Sequence, residues 1–363
     1  MIYYDLKEVL RNRNNNEIYV FNPLKKGDKV EGKFLKTTDE YVIRSECYNK
    51  FDRYSFFEKQ KKLKSAVEKS FDISTFDMIH AHTLFNGGYA AYKLHKKYKT
   101  PYVLSIRNTD SEIFMKIPGF LYIAKKILNC AAGIIFISES CKNKVLNKKT
   151  LLPIKEALDN KQTVIYNGLE NFWHDNALTE PKQLKSDVIS LLCVGRIDKN
   201  KNMLTVLKVL DKLNTDNIKV RLHIAGEVVD ENIKEKLQVH ENVIIHPFMS
   251  KDELLLLYRK TDIFIMPSIY ETFGRAYAEA MTQGLPVIYT KGQGFDGIFS
   301  EGSVGYSVTP LNPEVIADAV KKVINNYSAI SKRCIENYEG FNWDIIAEKM
   351  ERFYDTAFNK IIH

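Results

Sequence analysis

Short apolar segments alternate with helical patterns along both halves of this chain, and this alternation limits its fold more than any other feature. The segments predicted as strands are residues 17–21, 78–81, 102–106, 133–138 and 163–166 in the first half, and residues 188–194, 219–225, 243–246, 262–266 and 286–289 in the second. Strands that alternate with helices form parallel sheets covered by helices on both faces. The sequence therefore predicts an α/β protein with two doubly wound parallel sheets.

The length of the chain, 363 residues, exceeds the usual range of a single hydrophobic core and predicts two domains. Residues 169–187 are polar and lack a clear period, so we place the linker there. The predicted domains are therefore residues 1–170 and 187–340. An amphipathic pattern over residues 343–362 predicts one long C-terminal helix.

A junction between a strand and a helix carries two carboxylates in the second half. Residues 262–266 are apolar and β-prone, as a central parallel strand would be. Gly274 then opens a helix whose free N–H groups and positive dipole end suit a phosphate. Glu271 precedes this helix and Glu279 lies about one and a half turns into it. Both glutamates can therefore face one pocket at the carboxyl edge of the sheet, where open α/β folds bind ligands.

This junction resembles the signature of Glu, seven residues and Glu in the family 4 retaining glycosyltransferases, which have the GT-B fold of two Rossmann-like domains facing a cleft. A second segment, residues 194–202, resembles the family's strand-end Gly195-Arg196 with Lys201 five residues after the arginine. In the family these two cations hold the pyrophosphate of the donor. Arg offers a rigid fork to phosphate oxygens and Lys a mobile point charge, so the pair suits a diphosphate.

The resemblance also implies roles for the residues around the junction. Glu279 would accept hydrogen bonds from the ribose hydroxyls, and Glu271 would face the donor sugar. The backbone at Phe273, Gly274 and Arg275 would meet sugar and phosphate oxygens. The family uses no metal or other cofactor, and this chain contains no Asp-x-Asp motif. The implied donor is a UDP- or GDP-sugar.

The first half is similar to the family in parts and departs from it in others. Residues 77–82 resemble the strand that ends in a His pair, Asn167-Gly168 resembles the Asn-Gly after the last strand, and the C-terminal helix resembles the one that crosses back to the first domain. Arg107 stands where the family commonly has a His. Because Arg cannot act as a neutral acceptor, it would instead neutralise a phosphate or an acidic sugar. Asp110 is our candidate for positioning the acceptor.

The beginning of the chain also departs from the family pattern. A first domain of this kind opens with an apolar strand and a small-residue loop near the donor phosphates, whereas residues 3–12 already look like the first helix. We therefore expect the first strand of this domain to be missing. A chain that lacks this strand would have an exposed slot in its sheet and would lose part of its donor loop.

Positive charge is concentrated in the first half. Residues 1–180 hold 30 Lys and Arg against 21 Asp and Glu, whereas the rest of the chain is close to neutral. The densest stretch, residues 56–69, mixes Lys with aromatics on a predicted helix, which suits an anionic membrane, an acidic acceptor or a solvated amphipathic face. No recognised nucleic-acid module accompanies it.

No signal-peptide pattern stands at the N-terminus, no apolar run approaches the roughly 20 residues of a membrane span, and the five cysteines are scattered. These features fit a cytoplasmic protein, with contact to the inner face of the plasma membrane as a further expectation.

The function implied by the resemblance is transfer of a hexose-type sugar from a nucleotide diphosphate sugar to an acceptor hydroxyl, with retention at the anomeric carbon. Bacterial surface polysaccharide or lipid-linked oligosaccharide assembly is the usual setting of such enzymes. Two alternatives stay open, a GT-B-like sugar-nucleotide epimerase and a truncated, non-catalytic sugar-nucleotide binder. A Rossmann dehydrogenase is disfavoured because no Gly-x-Gly-x-x-Gly follows the first predicted strand of either half; the one in the chain, residues 292–297, comes after the last predicted strand.

Overall fold

A computed structural model describes residues 2–13, 16–27 and 40–362. The chain divides into two compact units: unit 1 comprises residues 1–137, 141–168 and 343–363, and unit 2 comprises residues 138–140 and 169–342. The strands, in chain order, are β1 (Val20–Lys25), β2 (Val42–Tyr48), β3 (Ile79–Ala81), β4 (Tyr102–Ile106), β5 (Gly133–Phe136), β6 (Gln162–Val164), β7 (Val188–Val194), β8 (Lys219–Ala225), β9 (Val243–His246), β10 (Ile263–Ile265), β11 (Val287–Thr290) and β12 (Gly305–Val308).

The helices alternate with these strands. In chain order they are α1 (Ile2–Arg11), α2 (Phe56–Ser70), α3 (Asn86–Tyr98), α4 (Asn108–Glu112), α5 (Phe120–Cys130), α6 (Glu139–Leu146), α7 (Lys155–Asp159), α8 (Asn171–Asp175), α9 (Met203–Thr215), α10 (Glu231–Gln238), α11 (Lys251–Lys260), α12 (Arg275–Thr282), α13 (Pro313–Asn325), α14 (Tyr327–Asn337) and α15 (Trp343–Ile362). No helix in the described ranges combines the length and the apolar composition needed to cross a bilayer.

Within the described residues, unit 1 contains a parallel sheet of order β3-β4-β5-β6 and a separate parallel pair, β1-β2. The strand predicted at residues 17–21 forms as β1 a few residues later, and β2 was not predicted at all. On one face of the larger sheet, α1 and α15 pack together over Ile135 through Leu6, Trp343 and Ile346. The C-terminal helix is therefore part of the core of unit 1.

Gly168 explains why unit 1 has an Asn-Gly pair after β6. A Cβ atom at Gly168 would lie 2.4 Å from Cδ2 of Trp343, so only glycine lets the indole rest against this backbone. The pair that resembles a family motif thus also serves the packing of α15.

Unit 2 contains a parallel sheet of order β12-β11-β10-β7-β8-β9 in the described residues. Its central strands are almost fully buried; Leu191 and Leu192 of β7 pair with Ile263 and Phe264 of β10. From β7 the chain builds outward through β8 and β9, then returns to β10 on the other side of β7. The strand order therefore reverses between β7 and β10, and this is where open α/β sheets form a ligand crevice.

Candidate functional site

The loops that follow β7 and β10 are hydrogen-bonded to each other at this reversal of strand order. The backbone N–H of Ile269 donates to the carbonyl of Asn200 at 2.8 Å, and that of Tyr270 donates to Oδ1 of Asn200 at 3.0 Å. Asn202 Nδ2 donates to the carbonyl of Pro267 at 3.0 Å. Asn202 has φ of +58°, a conformation that Asn tolerates better than most residues. The two loops therefore form one connected rim at the carboxyl ends of β7 and β10.

The centre of this rim is an ion pair between Lys201 and Glu271. Lys201 Nζ lies 2.8 Å from Glu271 Oε2, and the two side chains are only 17% and 13% exposed. Asp198 caps the turn before Lys201 by accepting its backbone N–H at 3.0 Å. The other carboxylate oxygen of Glu271 accepts the N–H of Thr272 at 3.1 Å. Because the pair is shielded from water, the lysine charge is held in a fixed place at the switch point.

Arg196 takes a different position from Lys201. Its side chain is 62% exposed and its Nη2 lies 3.1 Å from Asp198 Oδ2. Gly195 lies beneath Lys201, since a Cβ atom there would come within 3.0 Å of Lys201 Cε. Two cations thus stand on one loop: Lys201 is largely shielded from water and ion-paired, and Arg196 is exposed.

Gly274 lies at the start of α12 with φ of +81°, a left-handed conformation. A side chain here would also collide with the ring of Tyr277, 2.3 Å from the position of Cβ. Tyr277 in turn donates its hydroxyl to the carbonyl of Met266 at 2.5 Å, which ties α12 to the end of β10. Phe273, just before the glycine, is buried and packs against Phe341 with ring centroids 5.6 Å apart. The N-terminus of α12 is therefore fixed against the sheet.

Glu279 lies on α12 against Tyr258 of α11. The Tyr258 hydroxyl donates to Glu279 Oε2 at 3.2 Å. Burial raises the pKa of Glu279 from its ordinary value, and the charge of Arg275, the Tyr258 hydrogen bond and Lys251 oppose that shift without cancelling it. Arg275 and Lys251 are both also drawn to the carboxylate of Glu170. The fold therefore holds a carboxyl group where its charged form is disfavoured.

Sequence reasoning missed two residues that position Glu271. Gln293 Oε1 accepts the backbone N–H of Glu271 at 3.2 Å, and the N–H of Gly294 donates to the Glu271 carbonyl at 3.0 Å. A Cβ atom at Gly294 would lie 1.9 Å from the carbonyl oxygen of Thr272. The glycines on either side of Gln293, directly after a predicted strand, were the signal that could have identified this loop.

In unit 1, three backbone N–H groups hold the carboxylate of Asp110. Its carboxylate accepts the backbone N–H groups of Leu84 at 3.1 Å, Phe85 at 3.4 Å and Arg107 at 3.1 Å. Burial raises the pKa of Asp110, and the backbone N–H groups and the Arg107 charge partly oppose this. Asp110 thus joins the turn after β3 to the start of α4; its role toward an acceptor stays a prediction.

His80 of β3 and His82 just after it form a half-buried polar row next to Arg107. His80 lies 2.7 Å from the Tyr354 hydroxyl through Nδ1 and 2.8 Å from the Ser105 hydroxyl through Nε2. Burial, with a smaller contribution from Arg107, lowers the pKa of His80 to about 3, so the ring is neutral at pH 7. Arg107 Nε donates to the carbonyl of His82 at 3.2 Å.

Of the ten residues predicted to form the site, those at the β7–β10 reversal all belong to unit 2, whereas Arg107 and Asp110 belong to unit 1. Across the described ranges, no group of three or more His, Cys, Asp or Glu has the arrangement of a metal site. The unit 2 residues around Lys201, Glu271 and α12 are Gly195, Arg196, Lys201, Glu271, Phe273, Gly274, Arg275 and Glu279.

Two family models match this chain, one in each half. The model described as Glycosyltransferase Family 4 matches residues 3–170, and the model described as Glycosyl transferases group 1 matches residues 176–340. The chain belongs to the family 4 glycosyltransferases. The family predicted from the strand–helix junction is thus confirmed, and glycosyltransferase activity follows from it.

Relatives and solved structures agree with this assignment. An uncharacterised glycosyltransferase of Methanocaldococcus jannaschii is 26% identical over 351 residues, covering 91% of this chain and 87% of the relative. The capsular polysaccharide biosynthesis glycosyltransferase CapM of Staphylococcus aureus is 29% identical over 256 residues, covering 65% of each chain. HepE of Anabaena, solved in complex with UDP, superposes with a TM-score of 0.70 at 16% identity, covering 98% of this chain and 96% of HepE. The predicted GT-B fold of two Rossmann-like domains is confirmed.

Proposed function

We propose that this glycosyltransferase moves a hexose-type sugar from a UDP- or GDP-sugar to an acceptor hydroxyl, with retention at the anomeric carbon and without a metal. The observation that carries the proposal is the fixed cation of Lys201 beside Glu271 at the strand-order reversal, next to the N-terminus of α12. A cation and free N–H groups at one point suit a diphosphate leaving group. HepE, which shares the fold, was solved with UDP and with UDP-glucose, which supports a uridine donor.

In this proposal the two cations of the loop after β7, Arg196 and Lys201, both bind the donor diphosphate. Lys201 keeps its ion pair with Glu271 and donates its other ammonium N–H groups to the donor diphosphate, and the exposed Arg196 closes on the same phosphates. Glu271 faces the sugar and Glu279 accepts the ribose hydroxyls. As the sugar bond breaks, negative charge grows on the diphosphate, where these groups stabilise it. The departing phosphate then helps to take the acceptor proton on the same face of the sugar.

The test is a product analysis with a chelator arm. The protein is incubated with UDP- and GDP-hexoses and a panel of sugar and lipid-linked acceptors, and the anomeric configuration of the product is read by NMR. We expect a retained configuration and full turnover in excess EDTA. An inverted product, or EDTA inhibition reversed by manganese, would overturn the mechanism. An epimer formed from donor alone would identify an epimerase, and binding without turnover would identify a non-catalytic binder.

The setting we propose is bacterial surface polysaccharide or lipid-linked oligosaccharide assembly, on the inner face of the plasma membrane. CapM is named for capsular polysaccharide biosynthesis, which supports such an acceptor. A lipid-linked acceptor would require this cytoplasmic enzyme to reach an anionic membrane.

We expect the Glu279→Ala variant to bind UDP more weakly by roughly 1 to 3 kcal/mol, because it loses the carboxyl oxygens that would accept the ribose hydroxyls. Glu279→Gln separates this role from stability. Since burial raises the pKa of Glu279, the folded chain holds the proton of this carboxyl group more tightly than the unfolded chain does. The free energy of unfolding therefore falls as the pH rises from the ordinary pKa of a glutamate to the raised pKa of Glu279. Glu279→Gln should therefore raise the unfolding midpoint at pH 8 and leave it unchanged at pH 4. Unchanged UDP affinity in Glu279→Ala would refute the ribose assignment.

The structure changes our prediction of which side chains would contact a membrane. In α2, Lys62 pairs with Asp52 and Lys64 with Glu68, each at 2.6 Å, and Lys59 lies over the ring of Tyr48. These lysines are therefore engaged within unit 1, and the contact we propose uses neighbouring aromatics instead. Phe57 is 58% exposed and Tyr122 is 69% exposed. Phe56 packs between Phe57 and Phe120 of α5, with ring centroids 5.4 Å and 4.9 Å away.

We expect Phe57→Ser/Tyr122→Ser to lose most of its binding to vesicles of anionic phospholipid, because it removes the exposed apolar surface that would enter the interface. Lys62→Gln/Lys64→Gln is the control and should retain binding, since those cations are already paired within unit 1. Co-sedimentation at low and high salt measures both. If only the lysine variant releases the vesicles, the contact is electrostatic and lies along α2.

A further inference from the structure

Unit 1 has a cavity of about 430 Å³ at the amino-terminal edge of its larger sheet. Pro101 lies just before β4, and Ala131 and Ala132 lie just before β5. Arg107 and Asp110, the two candidate site residues of unit 1, instead follow the carboxyl end of β4. Since β4 spans five residues at about 3.3 Å each, roughly 15 Å of strand separates the two edges. The cavity is therefore distinct from the candidate site.

Its lining is basic. Lys99, Lys161 and Lys360 line the cavity together with His95, and no Asp or Glu is among the lining residues. Lys161 Nζ donates to the carbonyls of Asn129 and Ala131, both at 2.8 Å, and Lys360 Nζ donates to the carbonyl of Asn160 at 2.6 Å. An ammonium has three donors, so each of these lysines keeps hydrogen-bonding capacity for a ligand.

Within the described residues, none of these three lysines forms an ion pair with a carboxylate. Burial lowers the pKa of Lys161, so its charge is held at a cost that a bound anion would offset. The Lys99 side chain has no hydrogen bond or ion pair in the part of the chain that the structure describes. These features leave positive charge uncompensated around an open volume.

Lys99 stands at the end of α3 in a strained conformation. Its φ is +67° and its ψ is −3°, where helices usually end in Gly or Asn. A residue with a Cβ is disfavoured there. Here the left-handed turn brings a lysine to the cavity.

We propose that this cavity binds a small phosphorylated molecule, with its phosphate held by Lys99, Lys161 and Lys360. Three ammonium groups suit a phosphate, which offers several acceptor oxygens. The volume falls in the range of small-molecule sites, and Pro101, Ala131, Ala132 and Ala157 provide apolar walls for the rest of the ligand. The site shares no residue with the proposed donor site, so it serves an effector rather than the transferred sugar.

The experiment is calorimetric titration of the full chain with glucose 6-phosphate and with inorganic phosphate, using glucose as the uncharged control. Lys99→Gln/Lys360→Gln is the test variant, because both lysines are exposed and neither is part of the core. Lys93→Gln/Lys96→Gln is the matched control, since it removes the same charge from α3 outside the cavity. We expect the test variant to bind glucose 6-phosphate roughly tenfold more weakly or worse, and the control to bind as the parent does.

Three results would overturn the proposal. The first is a parent chain that binds neither phosphorylated probe. The second is an equal loss of affinity in both variants, which would show a general effect of charge. The third is loss of the probe when UDP is added, which would place the phosphate in the donor site. A vesicle arm with phosphatidic acid separates the sources of phosphate: if the parent binds only vesicles and the test variant releases them, the ligand is a lipid headgroup and not a soluble molecule.

Discussion

The Arg196→Ala/Lys201→Ala variant is expected to bind UDP at least roughly 100-fold more weakly than the parent, while its affinity for uridine changes little. Both cations stand on the loop after β7, and neither is needed for a ligand without phosphates. Each hydrogen bond from a cation to a phosphate oxygen contributes more than a neutral one. Calorimetry with the two ligands measures the difference.

A control separates this effect from damage to the fold. Lys201→Ala alone leaves Glu271 shielded from water without its cation, which is costly in itself. Lys201→Ala/Glu271→Gln removes both charges, so it should regain thermal stability without regaining UDP affinity. If UDP and uridine lose affinity equally in the Arg196→Ala/Lys201→Ala variant, the two cations are structural and our donor assignment fails.

The Gly294→Ala variant is expected to lose about 3 kcal/mol of unfolding free energy or more, because overpacking against a fixed backbone cannot be relieved by a side-chain rotation. The new Cβ would stand 1.9 Å from the Thr272 carbonyl oxygen. To avoid it, the loop after β11 must move away from Glu271, whose carbonyl accepts the Gly294 N–H. UDP-sugar affinity should therefore fall together with stability.

Gly292→Ala is the matched control in the same loop. Gly292 has φ of +71°, but a Cβ atom there meets nothing within 4 Å. Its substitution should cost only the left-handed backbone penalty, roughly 1 to 2 kcal/mol. Urea unfolding of the two variants tests the difference. Equal losses would mean that the contact with Thr272 relaxes freely and does not hold Glu271 in place.

The sequence was sufficient for elements whose pattern is local. The bounds predicted for β7, β8 and β9 agree with the structure, because each is a short apolar or alternating run between clear turns. β12 was not predicted, since its Gly and Ser residues do not look like a strand. Gly305 begins it because a Cβ atom there would stand 1.8 Å from the Val287 carbonyl oxygen, a constraint set by the neighbouring strand alone.

The contacts of the candidate site could not be predicted either, because they join residues that are far apart in the sequence. The types of Lys201 and Glu271 pointed to a diphosphate site, but their ion pair joins residues 70 positions apart and exists only because β7 and β10 are neighbours. The glycines beside Gln293 mark its loop in the sequence, but the contact of Gln293 with Glu271 is non-local in the same way. Likewise, the lysines of residues 56–69 looked free in sequence, whereas Asp52 and Glu68 hold two of them.

The packing of α15 has a consequence for how the chain is made. Trp343, Ile346 and Met350 complete a core that also contains Leu6 and Ile135, yet they leave the ribosome after all of unit 2. Unit 1 therefore cannot complete its core until α15 has been synthesised. Until then its apolar face stays uncovered while about 170 further residues are added. Residues 1–168 expressed alone would keep this face open to aggregation, whereas unit 2 is continuous enough to fold as soon as it emerges.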